Sequence, residues 1–158
     1  MLWIALTMTG MRISLLLKKR VVVLEETLTF LSSLISEIRF SKNNIIKILS
    51  DLSSDEALNS LYFLKSFSCF TDNSDFRDIW IVSVKAFQYY KMEEKVKMLQ
   101  LGAFLGSTDV ESQIKTINRY IVFFENFLSK AETEYEKYGK TASLFGLFTG
   151  ASVFILFI

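Results

Sequence analysis

Histidine is absent from the 158 residues, which removes the commonest general base and the commonest metal ligand. Cysteine occurs once, as Cys69, so neither an internal disulfide framework nor a zinc site of the usual kind can be built. Within Ser66-Phe67-Ser68-Cys69-Phe70 that thiol reads as packing, not as a nucleophile. No Gly-x-x-x-x-Gly-Lys-Ser/Thr loop and no Gly-x-Gly-x-x-Gly turn occurs, which excludes the two common phosphate-cradling motifs. The formal net charge is only +1, giving no reason to expect nucleic acid or an acidic substrate. These gaps point away from an enzyme, a cofactor, a bound metal and a small-molecule substrate.

Proline is missing too, where average usage of about 5% would place roughly eight. With only six glycines, the chain has few helix breakers, and the expected fold class is all-α. Two apolar stripes step by four and three in near-perfect heptads. The first runs Leu17, Val21, Leu24, Leu28, Leu31, Ile35 and Ile38. The second runs Val110, Ile114, Ile117, Ile121, Phe124, Leu128, Ala131, Tyr135 and Tyr138. Each predicts a long helix with one apolar seam, suited to lengthwise packing at a shallow angle. Start signals place shorter helices between them. Ser41 is expected to cap a helix to about Leu52, and Ser53 with Glu56 to form a capping box for one to about Phe67. Asn73 or Ser74 opens another to about Phe87, and Lys91 to Phe104 forms the next. Thr108 with Glu111 makes a second capping box ahead of the long last helix. The expectation is a domain of about five to six helices with a long antiparallel first and last pair.

Charge is also lacking at both ends. Thr141 to Ile158 is an uncharged run of eighteen residues, about long enough to cross the roughly 30 Å hydrocarbon layer as a helix. At the amino end only Arg12 interrupts Met1 to Leu17, and Lys18-Lys19-Arg20 follows. Basic residues behind the apolar stretch do not suit a secretory signal, so a short anchor over residues 1–17 is expected. Lys130, Lys137 and Lys140 precede the terminal run. Both basic clusters lie on the side of residues 18–139, and basic residues favour the cytoplasmic face. The expected layout is an anchor at 1–17, a cytoplasmic helical domain at 18–139 and a transmembrane helix at 141–158.

Candidate sites are few. Glu132, Glu134 and Glu136 are the densest carboxylates, but Glu136 with Lys140 is an ordinary helix-surface ion pair. Most of the fifteen phenylalanines and six tyrosines fall on apolar stripes or in the terminal run and read as core. Phe87, Tyr89 and Tyr90 lie at a break between helices, where they can either dock a partner or close the bundle. Gly146 and Gly150 form a Gly-x-x-x-Gly that would let another membrane helix approach closely. The outward face of the last helix, around Glu111, Lys115 and Arg119, is the expected partner surface.

The segment Leu101-Gly102-Ala103-Phe104-Leu105-Gly106-Ser107-Thr108-Asp109-Val110-Glu111-Ser112-Gln113 closely resembles the Leu-Gly…Leu-Gly-x-Thr/Ser-Asp-x-x-x-Gln stretch of the stage III sporulation protein AB family of endospore-forming bacteria. The similarity extends to the order of elements: a basic-flanked amino-terminal anchor, a leucine-rich helix with Glu37-Ile38 near its end, and a terminal anchor preceded by Lys137-Tyr138-Gly139-Lys140. Gly102 and Gly106 allow close backbone approach or a left-handed turn, Ser107 to Asp109 can satisfy free helix-start amides, and Gln113 lies one turn further on. That turn either redirects the chain or meets a partner, and the redirecting task is the simpler.

The resemblance implies a non-catalytic platform protein of the channel-like complex joining mother cell and forespore, in the mother-cell membrane that faces the forespore. It also implies as partners a secretion-type ATPase and polytopic membrane proteins of the same operon, with self-association left open. The helical domain is expected to be similar to the inner-membrane platform protein of type II secretion and type IV pilus machines. A membrane-anchored interaction protein of another secretion or pilus assembly is the alternative.

Overall fold

The computed structural model describes residues 2–41, 43–69, 75–106 and 109–139. Among them the chain is helical without strands. The α-helices are α1 (Leu2–Phe40), α2 (Ile45–Leu52), α3 (Phe76–Ala86), α4 (Met92–Phe104) and α5 (Val110–Glu134). Two 3₁₀ helices, Glu56–Leu58 and Tyr62–Cys69, lie between α2 and α3, and a π-helical turn at Tyr135–Gly139 follows α5. The chain divides into two compact units, with the breaks between Val22 and Val23 and between Phe127 and Leu128.

Among the described residues no helix is long and apolar enough to cross a membrane. The expected anchor over residues 1–17 is therefore not supported. It is the start of the 39-residue α1, and a stretch long enough to span that begins with that helix takes in Arg12 with Lys18 and Lys19. Each such charge costs about 2.5–3.5 kcal/mol at the centre of a spanning helix. The expected transmembrane helix over residues 141–158 lies outside the described residues.

The unit from Val23 to Phe127 is built on aromatic packing. Phe63 is its hub, meeting Phe30, Trp80, Phe87 and Tyr90 at ring centroids 6.3, 6.0, 5.3 and 6.2 Å apart. Fully burying a phenylalanine side chain stabilises by roughly 1.5–3 kcal/mol. Phe87 and Tyr90 are buried, so of the two readings of this break they take the one that closes the bundle. The Tyr90 hydroxyl lies 2.6 Å from Thr27 Oγ1. Thr27 commits its single proton to the Val23 carbonyl at 2.7 Å, so Tyr90 is the donor. Burial pushes the Tyr90 phenol far above its ordinary range, and it keeps that proton.

The buried face of α1 in this unit is broader than the heptad seam. Leu24, Leu31 and Ile38 are buried as expected, but so are Val23, Thr27, Phe30 and Leu34, while Leu28 and Ile35 are only half-buried. The helix faces the Phe63 hub, and this pulls its deepest line away from the a/d positions. Glu26 adds a polar tie, accepting the Ser60 N–H at 2.7 Å.

Several caps differ from expectation. Asn44, not Ser41, starts α2, its Oδ1 accepting the Lys47 N–H at 2.9 Å. No α-helix runs from Ser53 to Phe67. Asp55 caps the short 3₁₀ helix through the Ala57 N–H, and a second 3₁₀ helix follows. Its side chains repeat every three residues, with Leu61, Leu64 and Phe67 buried and Tyr62, Lys65 and Ser68 exposed. That period matches the three residues per turn of a 3₁₀ helix, which stacks i and i+3 on one edge. Asp75 starts α3 by accepting the Arg77 N–H. At α4, buried Glu94 reaches back to the Lys91 N–H at 2.7 Å, which satisfies a free helix-start donor.

The other unit contains the start of α1, the end of α5 and the π turn. Arg20 Nη1 donates to Glu134 Oε2 at 2.7 Å, and Val21 lines a hollow with Ser129, Thr133 and Tyr135. In the larger unit Ile38 of α1 shares a hollow with Val110 and Gln113 of α5.

Candidate interaction site around the Gly102–Gln113 turn

The turn between α4 and α5 combines four local devices. Gly102 is buried beneath Trp80, and a Cβ there would overlap the indole Cδ1 and Nε1 atoms. Only glycine leaves room for that ring, whose N–H donates to the Met98 carbonyl at 2.9 Å. Leu105 is buried and closes α4, its N–H donating to the Leu101 carbonyl at 3.3 Å. Gly106 takes φ +72, the left-handed conformation in which side-chain-bearing residues are strained. Its N–H then donates to Gln113 Oε1 at 3.1 Å, so the first turn of α5 holds the end of α4.

Asp109 caps α5, with its Oδ2 accepting the Ser112 N–H at 3.0 Å and its carbonyl accepting the Gln113 N–H at 3.0 Å. The Ser112 hydrogen bonds hold the Asp109 carboxyl below its ordinary range. The expected capping box from Thr108 falls on a residue outside the described ones. Both Ser107 and Thr108 lie outside the described residues, as do Gly146 and Gly150.

Around the turn the surface is concave. One groove is bounded by Arg39 at the end of α1 and by Asp109, Glu111, Ser112, Lys115 and Asn118 at the start of α5. A neighbouring hollow is lined by Ile38, Ile45, Ile48 and Val110, with Asn43, Asn44, Gly106 and Gln113 among its polar edges. Of the expected partner face, Glu111 and Lys115 border the groove, whereas Arg119, although exposed on the same helix, does not. Arg39 and the Asn43–Asn44 pair were not singled out from the sequence. Arg39 carries no local signal, because its place depends on where α1 ends relative to α5. The asparagine pair did carry one, the preference of asparagine for helix starts.

The groove presents two basic groups, Arg39 and Lys115, against two acidic ones, Asp109 and Glu111, next to an apolar hollow with exposed Phe40 close by in sequence. Mixed charge around an apolar patch is a docking arrangement, since the charges set partner and register while the patch supplies contact area. Among the described residues no three His, Cys, Asp or Glu side chains are grouped to hold a metal ion.

A family model described as stage III sporulation protein AB matches the chain over residues 1–158. No curated protein and no solved structure matches it.

Proposed function

The chain belongs to the stage III sporulation protein AB family, and on that premise we propose that it is a non-catalytic, membrane-held platform in the sporulation channel between mother cell and forespore. In this reading it receives a secretion-type ATPase and couples it to polytopic membrane partners. The family match over all 158 residues is the observation that carries the proposal. The uncharged run Thr141 to Ile158 is its membrane anchor, long enough as a helix to span about 27 Å. The basic residues flanking residues 18–139 favour placing that region in the cytoplasm. Rigidity is what coupling requires, and the aromatic hub around Phe63 supplies it. The groove bordered by Arg39, Asp109, Glu111 and Lys115 offers a partner both signs of charge.

The test is affinity capture of the tagged full-length protein from sporulating cells in mild detergent, with co-purifying proteins identified by mass spectrometry. Recovery of a secretion-type ATPase with small membrane proteins supports the platform. Solubilised protein carrying none of them sinks the coupling role and leaves a membrane-held interaction protein of another assembly.

A further inference from the structure

The smaller unit exposes apolar side chains where a water-facing helix would carry polar ones. Leu15 and Leu16 on α1 are 58% and 61% exposed. Arg12 is exposed as well, and Lys19 is half-buried. Arg12, Leu15, Leu16 and Lys19 follow the i, i+3, i+4, i+7 spacing that puts residues on one face of a helix. The two leucines thus stand between two bases, with exposed Lys18 beside them.

The turn after α5 adds residues of matching chemistry to the same unit. The Arg20–Glu134 ion pair joins α1 to the end of α5 within this unit. One turn before Arg20 on α1 is Leu16, and one turn beyond Glu134 is Tyr138. Tyr138 is 55% exposed, and the Lys137 ammonium lies over its ring at 5.3 Å. Leucines, a tyrosine and several bases gathered in one small unit match the composition of segments that rest at a bilayer surface. There the apolar side chains enter the acyl boundary, tyrosine sits at headgroup depth, and basic side chains reach up to the phosphates.

We infer that the Arg12–Lys19 face of α1, together with Lys137 and Tyr138, is a docking face for the surface of an anionic bilayer. The occupant is lipid, because the exposed groups are apolar and basic and because the uncharged run Thr141 to Ile158 begins just beyond Tyr138. Each base near an anionic surface adds attraction, which fades beyond a Debye length. The leucines hold the helix in the interface and do not cross it, since the charge density of this stretch prevents spanning. The inference rests on the proposed membrane-held reading, and it gives the failed amino-terminal anchor a role.

The experiment uses the full-length protein in vesicles of phosphatidylcholine with phosphatidylglycerol. Cys69→Ser removes the native thiol, and an environment-sensitive fluorophore is attached at Leu16→Cys. Ser129→Cys, an exposed α5 position of the same unit, serves as the reference. The expected result is acrylamide quenching several-fold weaker at 16 than at 129, with strong quenching at 16 by lipids spin-labelled near the headgroup. Shielding should weaken in phosphatidylcholine alone and in an Arg12→Gln/Lys18→Gln variant. Equal acrylamide access at 16 and 129 in protein that floats with the vesicles overturns the docking face. So does quenching at 16 only by labels at mid-membrane depth, which would mean a spanning helix. Equal shielding with and without phosphatidylglycerol overturns the headgroup pairing. Protein that does not float with the vesicles overturns the membrane-held reading itself, a failure distinguishable from the others.

Discussion

The Trp80 indole occupies the space that a side chain at Gly102 would fill. Three opposing effects decide what Gly102→Ala does. Alanine gains about 1 kcal/mol of helix propensity over glycine within α4. Overpacking costs about 1–3 kcal/mol, and displacing the indole from Met98 forfeits a hydrogen bond worth about 1 kcal/mol. The costs win, and a net loss of about 1–3 kcal/mol is expected. Thermal unfolding followed by circular dichroism in detergent checks it, and an unchanged midpoint would mean that Trp80 moves aside freely.

Thr27 and Tyr90 form a buried pair whose two deletions should differ. Tyr90→Phe removes the donor and leaves Thr27 bonded to Val23, costing about 1 kcal/mol. Thr27→Val leaves a buried phenol without its acceptor and should cost more, about 1–3 kcal/mol. The double variant should recover part of that loss, as a double-mutant cycle would show.

The same pair predicts alkaline sensitivity. Burial raises the Tyr90 phenol above its ordinary value of 10.0, so above that pH the unfolded chain loses a proton that the folded chain retains. Stability from this group is complete below pH 10 and falls as pH rises further, at up to about 1.4 kcal/mol per pH unit. Tyr90→Phe should flatten the dependence in denaturant titrations above pH 10, and an identical slope would assign it elsewhere.

Asp109 has the opposite sign. Its carboxyl is held below 3.8 by the Ser112 hydrogen bonds, so its contribution is present above that pH and is lost as pH falls through the lower folded value. Asp109→Ala should lower the midpoint at neutral pH, whereas Asp109→Asn should keep most of it, since asparagine also caps. Acid titration should be shallower in Asp109→Asn than in the parent chain. A midpoint indifferent to Asp109→Ala would show that α5 starts without this cap.

Gly106 has two reasons to be glycine. Its φ of +72 strains any side-chain-bearing residue, and a Cβ would come 3.3 Å from Ile45 Cγ2. Gly106→Ala should cost about 1–2 kcal/mol, and Gly106→Asn less, because asparagine visits this conformation more readily. Gln113→Ala should also destabilise, by removing the acceptor of the Gly106 N–H. Equal stability of all three variants would sever the turn from α5.

The helical class, the long first and last helices and the start of α4 at Lys91 were legible in the sequence. Proline was absent, apolar residues recurred at helical spacing, and these are properties of neighbours along the chain. The break between α4 and α5 was legible for the same reason, since Gly106 ends one helix and the Asp109 side chain starts the next. The choice among adjacent caps was not. Asn44 and Asp55 compete with Ser41 and Ser53 at a difference of a few tenths of a kcal/mol, and packing at either end of each helix decides between them. The 3₁₀ helix at Tyr62–Cys69 was read as α-helical, although its three-residue repeat was already present in Leu61, Leu64 and Phe67.

What the amino-acid order alone determined is thus the helical class with its long first and last helices, the family resemblance and the lack of charge in residues 141–158. Tertiary structure decided which residues meet. It brought Arg39 from the end of α1 to the start of α5, made Phe63 a hub and turned the deep face of α1 toward Phe30 and Leu34. It also set Gly102 beneath Trp80 and brought Arg20 to Glu134 across 114 residues of chain. Propensity and capping act over one or two helical turns, whereas these pairings depend on how several apolar faces share one core. A single helix's pattern says that it has a face to bury, and only the assembled bundle says against what.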